Sequence, residues 1–231
     1  MTSRKSQFFI APEVLRLGIT AASVILEDLQ NKDADHEFET YKNAVLADLL
    51  VRYRDKSFVK SDPILAEFRD LHMKVGRSNR RLTAAPEALI SRLARTGTMP
   101  RINLIVDIYN LISLKTRLSL GAHDIKKLDG NVSLRLTDGS EGFVPLGATL
   151  AEPIAAGEYA YIDDSNSVIC RMECLQGDKT KVDVSTTDVF YIIQGNWNSS
   201  EECLRSALAE LVTLTRKYCG GTMSDYMTLS E

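Results

Sequence analysis

Between residues 36 and 117 apolar positions return every three to four residues; beyond residue 130 they fall into short β-branched runs. In the first stretch Phe38, Tyr41, Val45, Leu49 and Tyr53 lie on one face of a helix that follows a polar, acidic opening at 33–39. A second helix starts at Ser61-Asp62-Pro63, a capping residue followed by proline in the first turn. It carries Ile64, Leu65, Phe68 and Leu71 inward and ends at Gly76. Ala85-Pro86-Glu87 opens a short helix through Ala94, with Leu89, Ile90 and Leu93 on its apolar face and Gly97 as its stop. From about Asn103 to Arg117 the pattern predicts an apolar helix running into a turn at Gly121. Upstream, Leu15, Leu17, Ile19 and Ala21 alternate with Arg16, Gly18, Thr20 and Ala22, which predicts a strand that Val24 to Leu29 continues or leaves.

In the second half the predicted strands are 132–137, 141–144, 159–163, 168–172, 182–186 and 189–194. Asp138-Gly139 and Asp163-Asp164-Ser165-Asn166 read as hairpin turns. One more helix, Ser199 to Tyr218, has Ser200 as cap and Leu204, Leu208, Leu211, Val212 and Thr215 on one face. Gly220-Gly221 ends it and the last residues read as loose. Helices first and strands second, without βαβ alternation, predict the α+β class. No repeat, low-complexity tract or linker divides residues 1–231, so one domain is expected.

Composition adds exclusions. No apolar run reaches the ~18 uncharged residues that a membrane span needs. MTSRKSQFFIAPE holds only a token apolar run before Glu13, a poor signal peptide. The expectation is a cytoplasmic chain with no membrane partner and no cofactor. Of the four cysteines, Cys170 and Cys174 are close in sequence, with no histidine near them. A zinc site wants four ligands at tight spacings, so the expectation is no metal and reduced, buried thiols. The formal net charge is −3, yet Lys74, Arg77, Arg80, Arg81, Arg92, Arg95 and Arg101 form a local basic excess. That is a solvated face on charge alone, or a phosphate-contacting surface if the chain binds RNA.

The sharpest chemistry lies in the 100–124 segment. Arg101, Asn103, Asp107 and Asn110 sit inside an apolar run, and a buried polar group left without a partner costs roughly 1–3 kcal/mol. They are either caps and staples or the lining of a pocket. His123 follows at the segment's end, where the plain reading is a helix-end histidine meeting free carbonyls. His36 and His72, in charged surroundings, read as surface residues. Gln176-Gly177-Asp178-Lys179-Thr180 places a glycine beside a carboxylate on a strand connection. There Gly177 would admit a ligand close to the backbone, and Asp178 would either hold the ligand or cap a turn. No P-loop, GxSxG, HExxH or GxGxxG occurs.

The order VDIYNLISLKTRLSLGAHD at 106–124 resembles the B3/B4 domain, the editing domain of the bacterial phenylalanyl-tRNA synthetase beta subunit, which also occurs free-standing. The resemblance continues through Asp129-Gly130, Ser133 to Leu136, Gly142-Phe143, Glu158 to Asp163, Cys170-Arg171 and Asp178 to Thr180, and closes at Thr186-Thr187. It covers about residues 85 to 215 and implies an α+β fold around a β-sandwich of unusual topology. It also implies a site. Asn110 matches the family asparagine, Arg101 an arginine at the segment's start, and Asp178 the position of the acid that recognises the aminoacyl group. Tyr109 stands where the family has threonine, and Gly121 where it has histidine. His123 is the residue that stands in, and Gly121, Gly177 and Thr180 complete the substrate contacts.

The resemblance implies a deacylase that hydrolyses the ester of a mischarged tRNA in trans. Its partner would be tRNA or aminoacyl-tRNA, not DNA. That ester is already activated, so positioning matters more than a strong nucleophile. The alternative is a non-catalytic protein that keeps the fold and binds RNA or an amino-acid-like ligand. A purely structural module would have no polar pocket. Motifs for amino-acid activation are absent, so a complete synthetase is not expected.

Overall fold

A computed structural model of the chain describes residues 6–79 and 82–227; Arg80 and Arg81 lie outside the described residues. In chain order the elements of the N-terminal part are β1 (Phe8–Ile10), α1 (Pro12–Arg16), β2 (Thr20–Glu27), α2 (His36–Tyr53), α3 (Lys56–Ser61), α4 (Pro63–Lys74), α5 (Ala85–Thr96) and α6 (Leu104–Thr116). There follow β3 (Ser119–Asp124), β4 (Val132–Leu136), β5 (Tyr159–Asp163), β6 (Val168–Arg171), β7 (Leu175–Gln176), β8 (Val189–Gly195), α7 (Glu201–Cys219) and β9 (Thr222–Met227).

The strands form two sheets, a five-stranded one of order β1-β4-β5-β6-β7 and a four-stranded one of order β3-β8-β2-β9. Among the described strand pairs, only β1 with β4 is parallel. Side chains alternate across a strand, and β2 and β8 use both faces. Ala21, Ile25, Phe190 and Ile192 meet Phe8, Val132, Leu134, Tyr159 and Tyr161 of the five-stranded sheet. Ala22, Val24, Leu26, Val189, Tyr191 and Ile193 turn the other way, onto α2, α5, α6 and α7. The result is sheet on sheet on helices, of the mixed α+β class that the sequence predicts. β8 is buried along its whole length, which explains its unbroken apolar run.

Local chemistry sets the helix ends. Asp35, Asp62, Asn103 and Ser200 each accept backbone N–H bonds as N-caps. Gly97 closes α5 in the left-handed conformation, φ 72°. No helix among the described residues is long and apolar enough to cross a membrane.

Several elements differ from expectation. Residues 12–16 are helical, because Pro12 starts a turn and Gly18 at φ 93° redirects the chain before β2 begins. α6 ends at Arg117, itself left-handed at φ 64°, so Gly121 lies within strand β3 and not in a turn. Residues 182–186 form a loop held by Asp183, which accepts from Ser185 N, and by Thr186, whose hydroxyl accepts from Asp183 N. Residues 141–144 contribute only an isolated bridge, Gly142 to Ser167. Residues 222–227 pair with β2 as a strand instead of lying loose. β1, α3 and β7 are too short to leave a periodic signal.

Gly195 ends β8 where a Cβ would lie 2.2 Å from Ser199 Oγ and 2.8 Å from Leu204 Cδ1. Ser199 is pinned by bonds to Asn196 N and O, both 2.7 Å. Gly195→Ala is therefore expected to cost about 1–3 kcal/mol by overpacking. A denaturation midpoint equal to that of the parent protein would refute this packing account.

Candidate functional site

The four polar residues of the 100–110 segment separate into different roles. Asn103 caps α6 through Val106 N, 3.1 Å. Asp107 accepts from Ile102 N at 2.9 Å and faces the buried ammonium of Lys42 at 3.6 Å. These two are structural. Arg101 is exposed and borders a groove with Glu39, Lys42 and Met99 on the α2 side, apart from the other candidate residues. Asn110 is different: among the described residues no hydrogen bond to its carboxamide is found, and it opens into a cleft.

That cleft has a volume of about 330 Å³. It lies where edge strand β3 approaches the turn after β6, with α5 and α6 alongside. Ala85, Ala88, Leu89, Tyr109 and Ile192 give apolar wall, and Arg92 stands exposed at its border. Gly121 and His123 also line it. They are two apart on β3 and so share one face. A Cβ at Gly121 would sit 3.9 Å from His123 Nε2, so His123 reaches the space beside the residue-121 position. It is a buried strand histidine and not a helix-end one.

His123 Nδ1 meets the Gln176 side-chain amide at 3.0 Å and the Thr180 hydroxyl at 2.8 Å. With the Gln176 amide nitrogen facing Nδ1 as donor, Nδ1 accepts and the imidazole proton is assigned to Nε2. Burial pushes the His123 pKa down to about 3, so the ring is neutral at ordinary pH and its Nε2–H is a donor. Thr180 thus orients His123 from behind and does not itself line the cleft.

Asp178 does not line the cleft. Its carboxylate accepts from Gly147 N at 3.0 Å and pairs with Lys181 at 3.0 and 3.1 Å. The Gly147 N–H and then Lys181 hold its pKa below the usual carboxylate range. Gly177 is buried against β6: a Cβ there would lie 2.7 Å from the Val168 carbonyl oxygen. What approaches its backbone is a neighbouring strand and not a ligand. The expected constellation therefore divides. Asn110, Gly121 and His123 come together at the cleft, Thr180 supports them, and Arg101, Gly177 and Asp178 point elsewhere.

The acid at the cleft is Glu173, which the sequence reading passed over. It is 4% exposed and follows Met172, whose φ of 53° makes the sharp turn out of β6. One oxygen meets His72 Nε2, and the other accepts from Tyr159 OH and, at 3.5 Å, from Gln194 Nε2. His72 is fully buried, not a surface residue. Burial works to lower its pKa, and the hydrogen bond and charge of Glu173 outweigh that, so it lies above the usual histidine value. Cys174 Sγ completes the cluster, 3.6 Å from His72 Nε2 and 3.7 Å from Glu173 Oε1. These three side chains are the described residues that could hold a metal ion. Burial, and then the charge of Glu173, push the Cys170 thiol up to about 12 and that of Cys174 higher still. Neither is a thiolate nucleophile in this state.

Of the basic residues, Lys74 bonds Glu67 at 2.9 Å and Arg77 pairs with buried Glu158. Arg92 and Arg95, one turn apart on α5, are exposed. The cleft therefore offers an apolar cavity, two neutral donors from Asn110 and His123, and a cation at its border. Its partners Gln176, Gln194, Tyr161 and Glu173 are scattered along the chain in no motif. The one sequence hint is Glu173 set between Met172 and Cys174.

The sequence pattern of the B3/4 domain matches residues 68–220. The phenylalanine–tRNA ligase beta subunit of Wolbachia sp. subsp. Brugia malayi (strain TRS) is 32% identical over 113 residues, 49% of this chain and 14% of that protein. The same subunit of Fusobacterium nucleatum subsp. nucleatum is 29% identical over 112 residues, 48% of this chain and 14% of that protein. The match thus spans about one-seventh of the length of these relatives. An N-terminal fragment of the phenylalanyl-tRNA synthetase beta subunit from Pyrococcus horikoshii superposes with a TM-score of 0.52 at 13% identity. That superposition covers 95% of this chain and 50% of that one, and at such identity the likeness is one of fold.

Proposed function

Because the chain belongs to the B3/4 domain family, we propose that it is an editing-type aminoacyl-tRNA deacylase acting in trans, with the cleft beside β3 as its site. The observation that carries this reading is the convergence of the Asn110 carboxamide and the His123 imidazole on one apolar-walled cavity. In this mechanism the amino-acid side chain enters the wall formed by Ala85, Ala88, Leu89 and Tyr109. The ester carbonyl lies toward Asn110 Nδ2 and His123 Nε2, both donors. Water attacks the ester carbonyl and the two donors hold the oxyanion; one such donor is worth roughly 10²–10³ in rate. The carbon–oxygen bond to the ribose then breaks, and the water proton passes through solvent to the departing ribose oxygen, leaving the free amino acid and the deacylated tRNA end. Arg92 borders the cleft where a terminal phosphate would pass, with Arg95 exposed one turn further along α5, and binding should weaken with salt.

The test is a deacylation screen against tRNAs carrying different amino acids. Asn110→Ala should lower the rate on the preferred substrate by about 10²-fold. Asp178→Ala, committed to Lys181 and Gly147, should leave it within a few-fold. Loss of hydrolysis in Asp178→Ala with the fold intact would move the site to the 176–180 loop and overturn this assignment.

One observation favours a second reading, binding without hydrolysis. The only carboxylate among the described cleft residues, Glu173, is engaged by His72 and Tyr159, which leaves no free base. Saturable aminoacyl-tRNA binding with no ester loss across the whole screen would establish that reading instead.

A further inference from the structure

His72, Glu173 and Cys174 come from the end of α4 and the turn after β6, about a hundred residues apart in sequence, and converge on one point beneath the cleft. Their donor atoms Nε2, Oε1 and Sγ all lie within 4.8 Å of one another. We propose that this triad is a binding site for one divalent cation of the zinc class, with its fourth position supplied from the cleft. The inference does not depend on the deacylase reading.

Geometry carries it. A tetrahedral centre with about 2.3 Å to sulfur and about 2.0–2.1 Å to nitrogen or oxygen sets its sulfur-to-nitrogen and sulfur-to-oxygen edges at about 3.5–3.6 Å. The observed edges from Cys174 Sγ are 3.6 Å to His72 Nε2 and 3.7 Å to Glu173 Oε1. The third edge is now a hydrogen bond, and the cation would replace its proton, with the two atoms moving apart by less than about 1 Å by the same bond lengths.

The surroundings of Glu173 match what a ligating carboxylate requires. Glu173 has its second oxygen fixed by Tyr159 OH, the kind of outer contact that aims a ligating carboxylate. Gln194 reaches the same oxygen and is itself bonded by Tyr161. Glu173 and Cys174 both line the cleft, so the open side faces a space that holds water or a ligand. Three protein ligands and one open position is the pattern of catalytic zinc, and mixed thiolate, imidazole and carboxylate donors select a borderline cation over magnesium or calcium.

Charge is conserved in the exchange. The cation enters as the Cys174 thiol proton and the proton of the His72–Glu173 hydrogen bond leave. Two positive charges replace two, so the buried cluster gains no net charge, which is the costly event in a site of this depth.

The test uses the full chain, stripped with chelator and titrated with Co²⁺. The expected result is one equivalent bound, with tetrahedral visible bands and a thiolate-to-cobalt charge-transfer band. Cys174→Ser should lose the charge-transfer band, while Cys203→Ser, on α7, should keep it. Tyr159→Phe, which leaves all three ligands in place, should weaken Co²⁺ and Zn²⁺ binding about 10–100-fold. Zn²⁺ should also raise the melting temperature of the parent protein and not of Cys174→Ser. A parent protein that gives no thiolate band, or a band that survives in Cys174→Ser, overturns the proposal, and neither readout depends on catalytic activity.

Discussion

On the proposed deacylase reading, replacing His123 by alanine is expected to lower deacylation about 10²–10³-fold, because it removes one of the two donors assigned to the oxyanion. His123→Gln keeps an N–H on the same face of β3 and should recover part of that loss. With its pKa near 3, His123 is neutral throughout the working range, so the rate should show no inflection near the ordinary histidine value of 6.5. The stability consequence has a definite sign. An unfolded chain takes a proton on this histidine below about 6.5 and the folded chain does not. Stability is therefore lost as pH falls from about 6.5 toward 3, at up to about 1.4 kcal/mol per pH unit from this group. His123→Gln should flatten that part of the denaturation-versus-pH curve. A rate inflection near 6.5 in the parent protein that vanishes in the variant would mean that His123 works as a titrating base, contrary to this account.

Removing the carboxylate of Glu158 should produce the largest loss of stability. Glu158 is fully buried. It receives Arg77 Nε and both Arg171 Nε and Nη2, the latter two at 2.6 and 2.8 Å. Glu158→Ala leaves two guanidinium groups facing one another without an anion. Breaking a buried pair costs about 3–5 kcal/mol. Side-chain exposure of 26% at Arg77 and 15% at Arg171 lets water return, which puts the expectation near 3 kcal/mol on that scale. Urea denaturation reads it directly, and a change below about 0.5 kcal/mol, the scale of an ordinary surface substitution, would show that the pair is solvated. The same contact decides how basic residues should be tested. Charge reversal at Arg77 reports on folding, whereas reversal at exposed Arg92 and Arg95 is the test of the proposed RNA contact.

The helices were legible because their ends are chemically marked. Asp62-Pro63, Ala85-Pro86 with Gly97, and Ser200 each announce a terminus in adjacent residues, and α4, α5 and α7 lie where those signals put them. β3 was hidden because SLGAHD reads as the tail of a helix, and only pairing with β8 makes it a strand. The site was half legible for the same reason. Asn110 could be found because a carboxamide in an apolar helix lacks a local partner. Asp178 was misplaced because its backbone donor Gly147 lies 31 residues away in sequence, and because Lys181, three residues on, reads equally well as a solvated neighbour. Glu173 and His72 could not be paired, since neither carries a spacing relation to the other.

The sheet against which the helices pack has consequences for how the chain reaches its native state. β2 is one of its two inner strands, and its partners come late: Thr20 pairs with Gly195, Leu26 with Val189 and Glu27 with Thr222. Until those residues are available, TAASVILE is a β-prone segment, apolar on both faces, with no neighbour on either side. Long-range closure of this kind slows folding, because loop entropy must be overcome before any strand contact rewards it. During that interval the octapeptide 20–27 is the segment most exposed to pairing with another copy of itself, and it is where a chaperone that holds unfolded chains would be expected to bind.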